Sequence, residues 1–342
     1  MKLTWKPYTL QFKHPFRIAH GVRTTTPVLF TCIEYDGCIG YGEASMPPYL
    51  GETHETAIAF LQKVNLKRFN GLQDIGAIME YVDQLENKNT AAKASIDIAL
   101  HDLKGKLEGK PVYKILGADP SLTPYSSFTI GMDSEDGIRQ KVIESGDFPI
   151  LKIKLGGSED MKILETVRAC TSKPFSVDVN EGWKDREQAL DFIYRMKEMN
   201  VSFVEQPFER SNTEDQAWLK ARSPLPLIAD ESCRRFEDIE SCRHFFHGIN
   251  IKLMKCTGLF EAKRMVVEAK KHQLLLLIGC MSETSCAVSA AASLTPFANW
   301  ADLDGPLLIS NDAFDGIYFE KGKIRLSEGL GIGAIPRVGV FV

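Results

Sequence analysis

Residues 150–157 read ILKIKLGG. The run is apolar, rich in β-branched residues and closed by Gly156-Gly157, the pattern of a short strand. It also carries two lysines, Lys152 and Lys154. Alternate side chains of a strand share a face, so Leu151, Ile153 and Leu155 point one way and both lysines the other. If both faces are covered, two ammonium groups lie side by side in a confined space.

Around this stretch the chain has a regular texture. From about residue 123, short apolar segments alternate with amphipathic helical ones. The strand candidates are 125–130, 150–155, 175–179, 203–206, 226–229, 248–253, 274–278 and 300–304, eight in all. Alternating β and α predicts parallel strands, and eight such units predict an α/β barrel of the (β/α)8 type. An open doubly wound sheet is the competing layout, but no GxGxxG follows a first strand. After Asp304 the sequence GPLLISNDAFDGIYFEKGKIRLSEGLGIG reads as a loop and a hairpin turning at Lys321-Gly322, not as an eighth helix. This last segment is expected to leave the barrel and pack on the N-terminal third.

That third reads as α+β. A strand is expected over 2–12, and VLFTCIEYDGCIGYGEA forms a hairpin around Asp36-Gly37. A helix is expected over 90–108, with Thr90 as N-cap and Gly109 and Pro111 ending it. Its apolar stripe is Ile96, Ala99, Leu100, Leu103 and Leu107. The expected domains are 1–122, 123–310 and 311–342.

The chain has 342 residues, 44% hydrophobic and 25% charged, enough for a large core. A net charge of -4 gives no general pull toward nucleic acid or an anionic membrane. The start alternates like a strand and lacks an apolar targeting region. No apolar run reaches the ~18 residues of a membrane span. The eight cysteines form no CxxC pair and no zinc spacing, so they read as reduced packing residues of a cytoplasmic protein.

Barrels of this kind place their sites at the C-terminal ends of the strands. There the expected strands carry Lys152 and Lys154, Asp178 in FSVDVN, Glu205 in SFVEQP, Asp230 in PLIADES, Lys252 in INIKLMK, and Asp302 and Asp304 in WADLDG. Positions 154, 178, 205, 230 and 252 each advance by about one βα unit, so the charges share a level. A lone strand-end carboxylate is usually a helix cap, and a lone lysine a solvated rim charge. Three successive carboxylates flanked by lysines argue instead for one site. Oxygen-only ligands suit a hard cation, above all Mg²⁺. The second and sixth strands of an eight-stranded ring are opposite, so Lys154 and Lys252 should face each other across the mouth. Burial, a neighbouring lysine and a divalent cation would all lower a lysine's pKa from its usual ~10.4. Two facing bases and a metal suit removal of a proton α to a carboxylate, an enediolate, and return of a proton to the other face.

In KIK, DVN, EQP, ADES and NIKL the sequence resembles the enolase superfamily, muconate-lactonising subgroup. ASIDIALHDLKGKLEGKPVYKILG (94–117) is similar to that family's cap helix and linker, and YGEASMPPYLGET (41–53) to its capping loop. The resemblance spans nearly the whole chain. It implies a modified (β/α)7β TIM-type barrel under an N-terminal α+β capping domain that the C-terminal segment completes. It further implies Lys154 and Lys252 as acid/base catalysts, Lys152 as their auxiliary and substrate-carboxylate contact, and Asp178, Glu205 and Asp230 as Mg²⁺ ligands. Asn180, Gln206 and Glu231 are candidate partners behind the ligands. Asp302-Leu303-Asp304 resembles the dipeptide epimerases, where a substrate α-ammonium would meet two carboxylates. That implies a dipeptide substrate of the L-Ala-D/L-Glu type and a role in recycling cell-wall peptides. Arg23, in RIAHGVRTTTP, is the candidate for an acidic substrate side chain, and a solvated loop charge otherwise. Met281 and Ser282 in CMSETS are expected to line the pocket, with Tyr49 and His20 as further loop candidates. The family often forms symmetric homo-oligomers. Competing readings are an N-succinylamino acid racemase or o-succinylbenzoate synthase, a Schiff-base lyase using Lys154 or Lys252, and a non-catalytic binding protein.

Overall fold

The computed structural model describes residues 1–19 and 21–341. Strands β1 (Lys2–Ile18), β2 (Gly21–Tyr35) and β3 (Cys38–Ser45) form an antiparallel sheet in that order. The strand expected over 2–12 runs further, because β1 resumes pairing with β2 beyond an irregularity between Gln11 and Phe16. The β2–β3 turn falls on Asp36 and Gly37, at φ 50° and 74°. Two left-handed residues in succession match the twist of the flanking strands.

The helix Thr90–Glu108 lies against β3. Its approach is so close that Gly40 and Gly42 leave no room for a side chain. A Cβ at Gly42 would sit 1.9 Å from the Ser95 carbonyl oxygen, and one at Gly40 2.1 Å from that of Ala99. Residues two apart on a strand thus meet residues one turn apart on the helix. The expected single stripe is too narrow a description. The helix is buried almost all round, and of the stripe Leu107 is exposed. Thr90 is not the N-cap. Asn89 holds that position at φ 62°, and its side chain makes no bond to the helix N–H groups. The free N–H groups of Ala91 and Ala92 are met instead by the Glu52 carboxylate, at 3.0 and 3.3 Å. A distant acid replaces the local cap. Gly109 ends the helix at φ 66°, as expected.

Eight parallel strands follow: β4 (Phe128–Ile130), β5 (Leu151–Lys154), β6 (Phe175–Asp178), β7 (Val201–Glu205), β8 (Leu227–Ala229), β9 (Gly248–Ile251), β10 (Leu275–Gly279) and β11 (Trp300–Asp302). The Ser127 N–H to Ala301 carbonyl bond, 3.0 Å, draws β4 and β11 together and nearly closes the barrel. Register aligns Lys154 with Asp178 and Asp178 with Glu205. The strands are shorter than the apolar runs suggested, so Asp230, Lys252 and Asp304 sit just past strand ends.

No regular eighth barrel helix follows β11. A four-residue helix, Gly305–Leu308, leads into the hairpin Tyr318–Glu320 and Lys323–Arg325, which turns at Lys321-Gly322. The C-terminal segment contacts both parts of the molecule. Phe314 and Phe341 pack on Phe30 and Tyr41 of the N-terminal sheet. The hairpin lies instead against the base of the barrel: Gly322 accepts the Ser126 N–H at 2.9 Å, and Phe319 meets Phe148. Among the described residues no helix is long and apolar enough to cross a membrane, and all eight cysteines are free.

Gly42→Ala should destabilise the fold by about 3 kcal/mol or more, because the obstructing atom is backbone and cannot swing away. A urea melt should show a lowered midpoint at unchanged slope. A wild-type midpoint would contradict the packing.

Candidate active site

At the C-terminal mouth of the barrel the charges are interleaved. Lys152, 1% exposed, places its ammonium 2.7 Å from Asp302, 2.8 Å from Glu205 and 3.0 Å from Asp178. Lys154 lies 2.6 Å from Asp178 and 3.3 Å from the Asn180 side-chain oxygen. Across the ring, Lys252 lies 2.6 Å from Asp230. Strands β5 and β9 are second and sixth in the barrel order, so Lys154 and Lys252 come from opposite sides. Both line one cavity of about 560 Å³, together with Asp230, Glu231, Asp302 and Asp304.

Asp178, Glu205 and Asp230 each offer an oxygen within 4.8 Å of the others. All three are buried. In each, a fixed donor holds one oxygen: the Asn180 N–H on Asp178 at 3.1 Å, the Asn250 amide on Glu205 at 2.7 Å, and the Lys255 ammonium on Asp230 at 2.6 Å. The second oxygen turns toward the lysines. Glu205 Oε2 has Lys152 nearby but accepts no hydrogen bond from it, and is the orphaned buried acceptor of the cluster. Such a set of single, inward-facing oxygens suits a hard divalent cation.

Charge counting agrees. Six carboxylates, Asp178, Glu205, Asp230, Glu231, Asp302 and Asp304, meet four ammonium groups, Lys152, Lys154, Lys252 and Lys255. Negative charge is in excess among these groups, in the sense a divalent cation would offset, and the crowding shows in the proton affinities. Burial and then Asp178 push Glu205 up, despite Lys152. Burial and the charge of Asp302 likewise raise Asp304. For two of the lysines the neighbouring carboxylates act against the expected depression. Burial pulls Lys152 and Lys252 down, but the carboxylates outweigh it, Asp178 and Asp302 for Lys152 and Asp230 for Lys252, and both stand well above the usual lysine range. The sequence pattern located the lysines but not the strength of their anionic surroundings.

The remaining candidates fall in different places. Asp302 is bound to Lys152 and to the Ser127 hydroxyl, 2.8 Å. Asp304 accepts the Thr129 N–H at 2.5 Å and its hydroxyl at 3.3 Å. Asn180 also donates to Glu231 at 3.2 Å. Gln206, at φ 38°, bonds no ligand carboxylate. Its side-chain oxygen accepts the Asp230 and Ser232 N–H groups at 3.0 and 3.1 Å, bracing the loop that carries Asp230. Arg23, Met281 and Ser282 line the cavity. Arg23 lies over the Phe12 and Phe16 rings and makes a long bond, 3.4 Å, to Thr26. The Tyr49 hydroxyl reaches the Met281 sulfur at 3.5 Å. His20 lies outside the described residues. Sequence reading missed Asn250 and Lys255. Their signal was position: Asn250 is two residues before Lys252 on the same strand face, and Lys255 three after it.

Comparison with known proteins accords with this arrangement. Residues 4–117 match the mandelate racemase / muconate lactonizing enzyme N-terminal domain, and residues 135–337 the enolase C-terminal domain-like family. The chain therefore belongs to the mandelate racemase/muconate-lactonizing branch of the enolase superfamily. An L-Ala-D/L-Glu epimerase of Bacteroides thetaiotaomicron is 51% identical over 336 residues, 98% of this chain and 88% of that one. The substrate-liganded L-Ala-D/L-Glu epimerase of Bacillus subtilis superposes with a TM-score of 0.91 at 25% identity, covering 98% of each chain. A dipeptide epimerase of Cytophaga hutchinsonii, solved with Mg and D-Ala-L-Val, gives 0.91 at 25% identity over 99% of this chain and 97% of that one. Within the superfamily the protein is an isomerase of the dipeptide-epimerase group.

The loop bearing Met281 and Ser282 is held by two buried acids. Glu283 accepts the Met281 N–H at 2.7 Å. Glu43, from β3, accepts the Thr284 N–H at 2.9 Å and the Ala287 N–H at 3.2 Å, at the start of the helix Ser285–Ala292. Burial raises Glu43 to about 7, and burial followed by the Glu43 charge raises Glu283 to about 8. A folded-state pKa above the unfolded value means a proton held in the fold and released on unfolding. The stability linked to it is full below the unfolded pKa and is lost as pH rises through about 7 to 8. Glu283→Gln should therefore raise Tm at pH 9 but leave it nearly unchanged at pH 5. Equal effects at both pH values would contradict the assignment.

Proposed function

We propose that this protein is a Mg²⁺-dependent dipeptide epimerase of the L-Ala-D/L-Glu type, which inverts the α-carbon of the C-terminal residue by two-base 1,1-proton transfer. The observation that carries this reading is the placement of Lys154 and Lys252 on opposite strands of one cavity, with Asp178, Glu205 and Asp230 on the three strands between them. Asp178, Glu205 and Asp230 would hold the ion. When bound, Mg²⁺ supplies positive charge against which a substrate carboxylate can take up the electrons released at its α-carbon.

The chain's own residues do the rest. One lysine removes the α-proton from its side of the tetrahedral α-carbon, which becomes planar and enediolate-like, and the other delivers a proton to the opposite face. Each must lose its proton before acting as a base, and Asp178 and Asp230, which now hold the two ammonium groups, would hold them less firmly when also serving as metal ligands. Lys152 adds positive charge beside the substrate carboxylate. Asp302 and Asp304 bind the substrate's α-ammonium, which fits a free dipeptide and disfavours a succinylated amino acid. Arg23, free of any ion pair among the described residues, binds the acidic side chain. The substrate type further suggests recycling of cell-wall peptides in the cytoplasm.

Incubation with L-Ala-L-Glu and Mg²⁺ in D₂O tests the chemistry by NMR. Deuterium should enter only the C-terminal α-carbon, and L-Ala-D-Glu should accumulate. EDTA should stop both; activity that survives it would favour a Schiff-base lyase, detectable by borohydride trapping. Lys154→Ala and Lys252→Ala should each lower epimerisation by at least about 10²-fold. Either variant can still exchange the proton facing its remaining lysine, without inversion. Exchange of a succinylated amino acid in preference to the dipeptide would overturn the assignment of Asp302 and Asp304.

Arg23→Ala should raise KM for L-Ala-L-Glu roughly 10–100-fold, the worth of one charge-assisted hydrogen bond. It should leave L-Ala-L-Gln nearly unaffected. Equal losses on both substrates would place Arg23 in loop structure instead.

A further inference from the structure

The three clustered carboxylates differ from a generic acidic patch in one respect: each has one oxygen withdrawn from the cavity. The restraint on Asp230 is the firmest. Lys255 is 1% exposed, and three acceptors surround its ammonium, matching its three N–H bonds: Asp230 Oδ1 at 2.6 Å, the Asp230 carbonyl at 2.7 Å and the Asn250 carbonyl at 2.9 Å. It is thereby fixed to the backbone of two strand ends as well as to the carboxylate. Asn250 serves the neighbouring ligand. Its amide holds Glu205 Oε1 at 2.7 Å, and the residue is wholly buried. Neither Lys255 nor Asn250 lines the cavity, so neither is placed to touch a substrate.

Denticity distinguishes cations. Calcium accepts 6–8 oxygens at 2.3–2.6 Å and often takes both oxygens of a carboxylate, whereas Mg²⁺ keeps about six at 2.0–2.1 Å in a near-ideal octahedron. We propose that Lys255 and Asn250 are positioning residues that restrict Asp230 and Glu205 to one oxygen each, and so bias the site toward a small octahedral cation over calcium. This rests on reading Asp178, Glu205 and Asp230 as the metal ligands. Lys255 is thus distinct in function from Lys252, although both contact Asp230. Lys252 meets the oxygen that faces the cavity, and Lys255 meets the one that does not.

The test is cation binding by the full chain, freed of metal with a chelator and titrated calorimetrically with Mg²⁺ and with Ca²⁺. Competition against Mn²⁺, followed by electron paramagnetic resonance, gives the same ratio independently. Lys255→Met should shift the ratio of Ca²⁺ to Mg²⁺ affinity about tenfold toward calcium, the lower end of effects from residues behind metal ligands. Asn250→Ala should shift it in the same direction through Glu205. A merely structural prop would weaken both cations alike, so an unchanged ratio overturns the proposal. If Lys255→Met lacks the wild-type circular dichroism spectrum, the Asn250→Ala ratio decides the matter. A wild-type protein that binds no divalent cation would overturn the ligand assignment, and the proposal with it. An unchanged ratio in a protein that binds Mg²⁺ overturns the proposal alone.

Discussion

Crowding of like charge at the mouth of a nearly closed barrel is the constraint on which this structure turns. Asp178, Glu205 and Asp230 point into a space too small for three carboxylates to stay ionised without positive charge between them. Lysines supply part of that charge, and a dication would supply the rest. Pairing binds the same lysines to carboxylates: Lys152 reaches three of them and Lys252 one. Metal and bases are therefore coupled physically. In the proposed reaction, a cation bound by the carboxylates would loosen their hold on the amines proposed to exchange protons.

Holding such a cluster requires rigid surroundings, and these come from buried acids placed at helix starts across the molecule. Asp97, on the helix Thr90–Glu108, accepts the N–H groups of Leu259 and Phe260, where the helix Leu259–Lys271 begins. Glu43 does the same for the helix Ser285–Ala292, and Glu52 for the helix Thr90–Glu108 itself. Each pairs a carboxylate with free backbone donors and the positive end of a helix dipole. The Asp97 and Glu43 contacts tie the N-terminal helix and sheet to barrel helices, and the Glu52 contact ties a loop of the N-terminal domain to that domain's own helix. Loop residues such as Met281, Ser282 and Tyr49 are thereby set over the site by groups remote from it in sequence.

Most of the architecture was legible in one dimension because barrel strands are continuous apolar runs and each βα unit has a nearly constant length. That regularity by itself puts Lys154, Asp178, Glu205, Asp230 and Lys252 on one rim. Local turn chemistry was equally legible at Asp36-Gly37 and Lys321-Gly322, where two left-handed residues in a row leave little choice of sequence. Misreadings arose where a distant group replaced a local one. Thr90 looks like a cap only as long as Glu52 is out of view. Gln206 looks like a partner of the metal ligands because it follows Glu205, yet its backbone conformation turns its amide toward the Asp230 loop.

By itself, then, the sequence determined the barrel, the identity of the charged residues and the level they share, since all three follow from strand periodicity and unit length. Only the tertiary structure decided which oxygen of each carboxylate is free, which lysines are locked and what stands behind the ligands. Asn250 and Lys255 both fall within INIKLMK, yet the stretch does not show them as positioning residues, because their role exists only where β7, β8 and β9 converge. The direction of the lysine shifts was likewise undecidable from the chain, because burial and ion pairing act in opposite senses and their balance depends on distances of 2.6 to 3.0 Å.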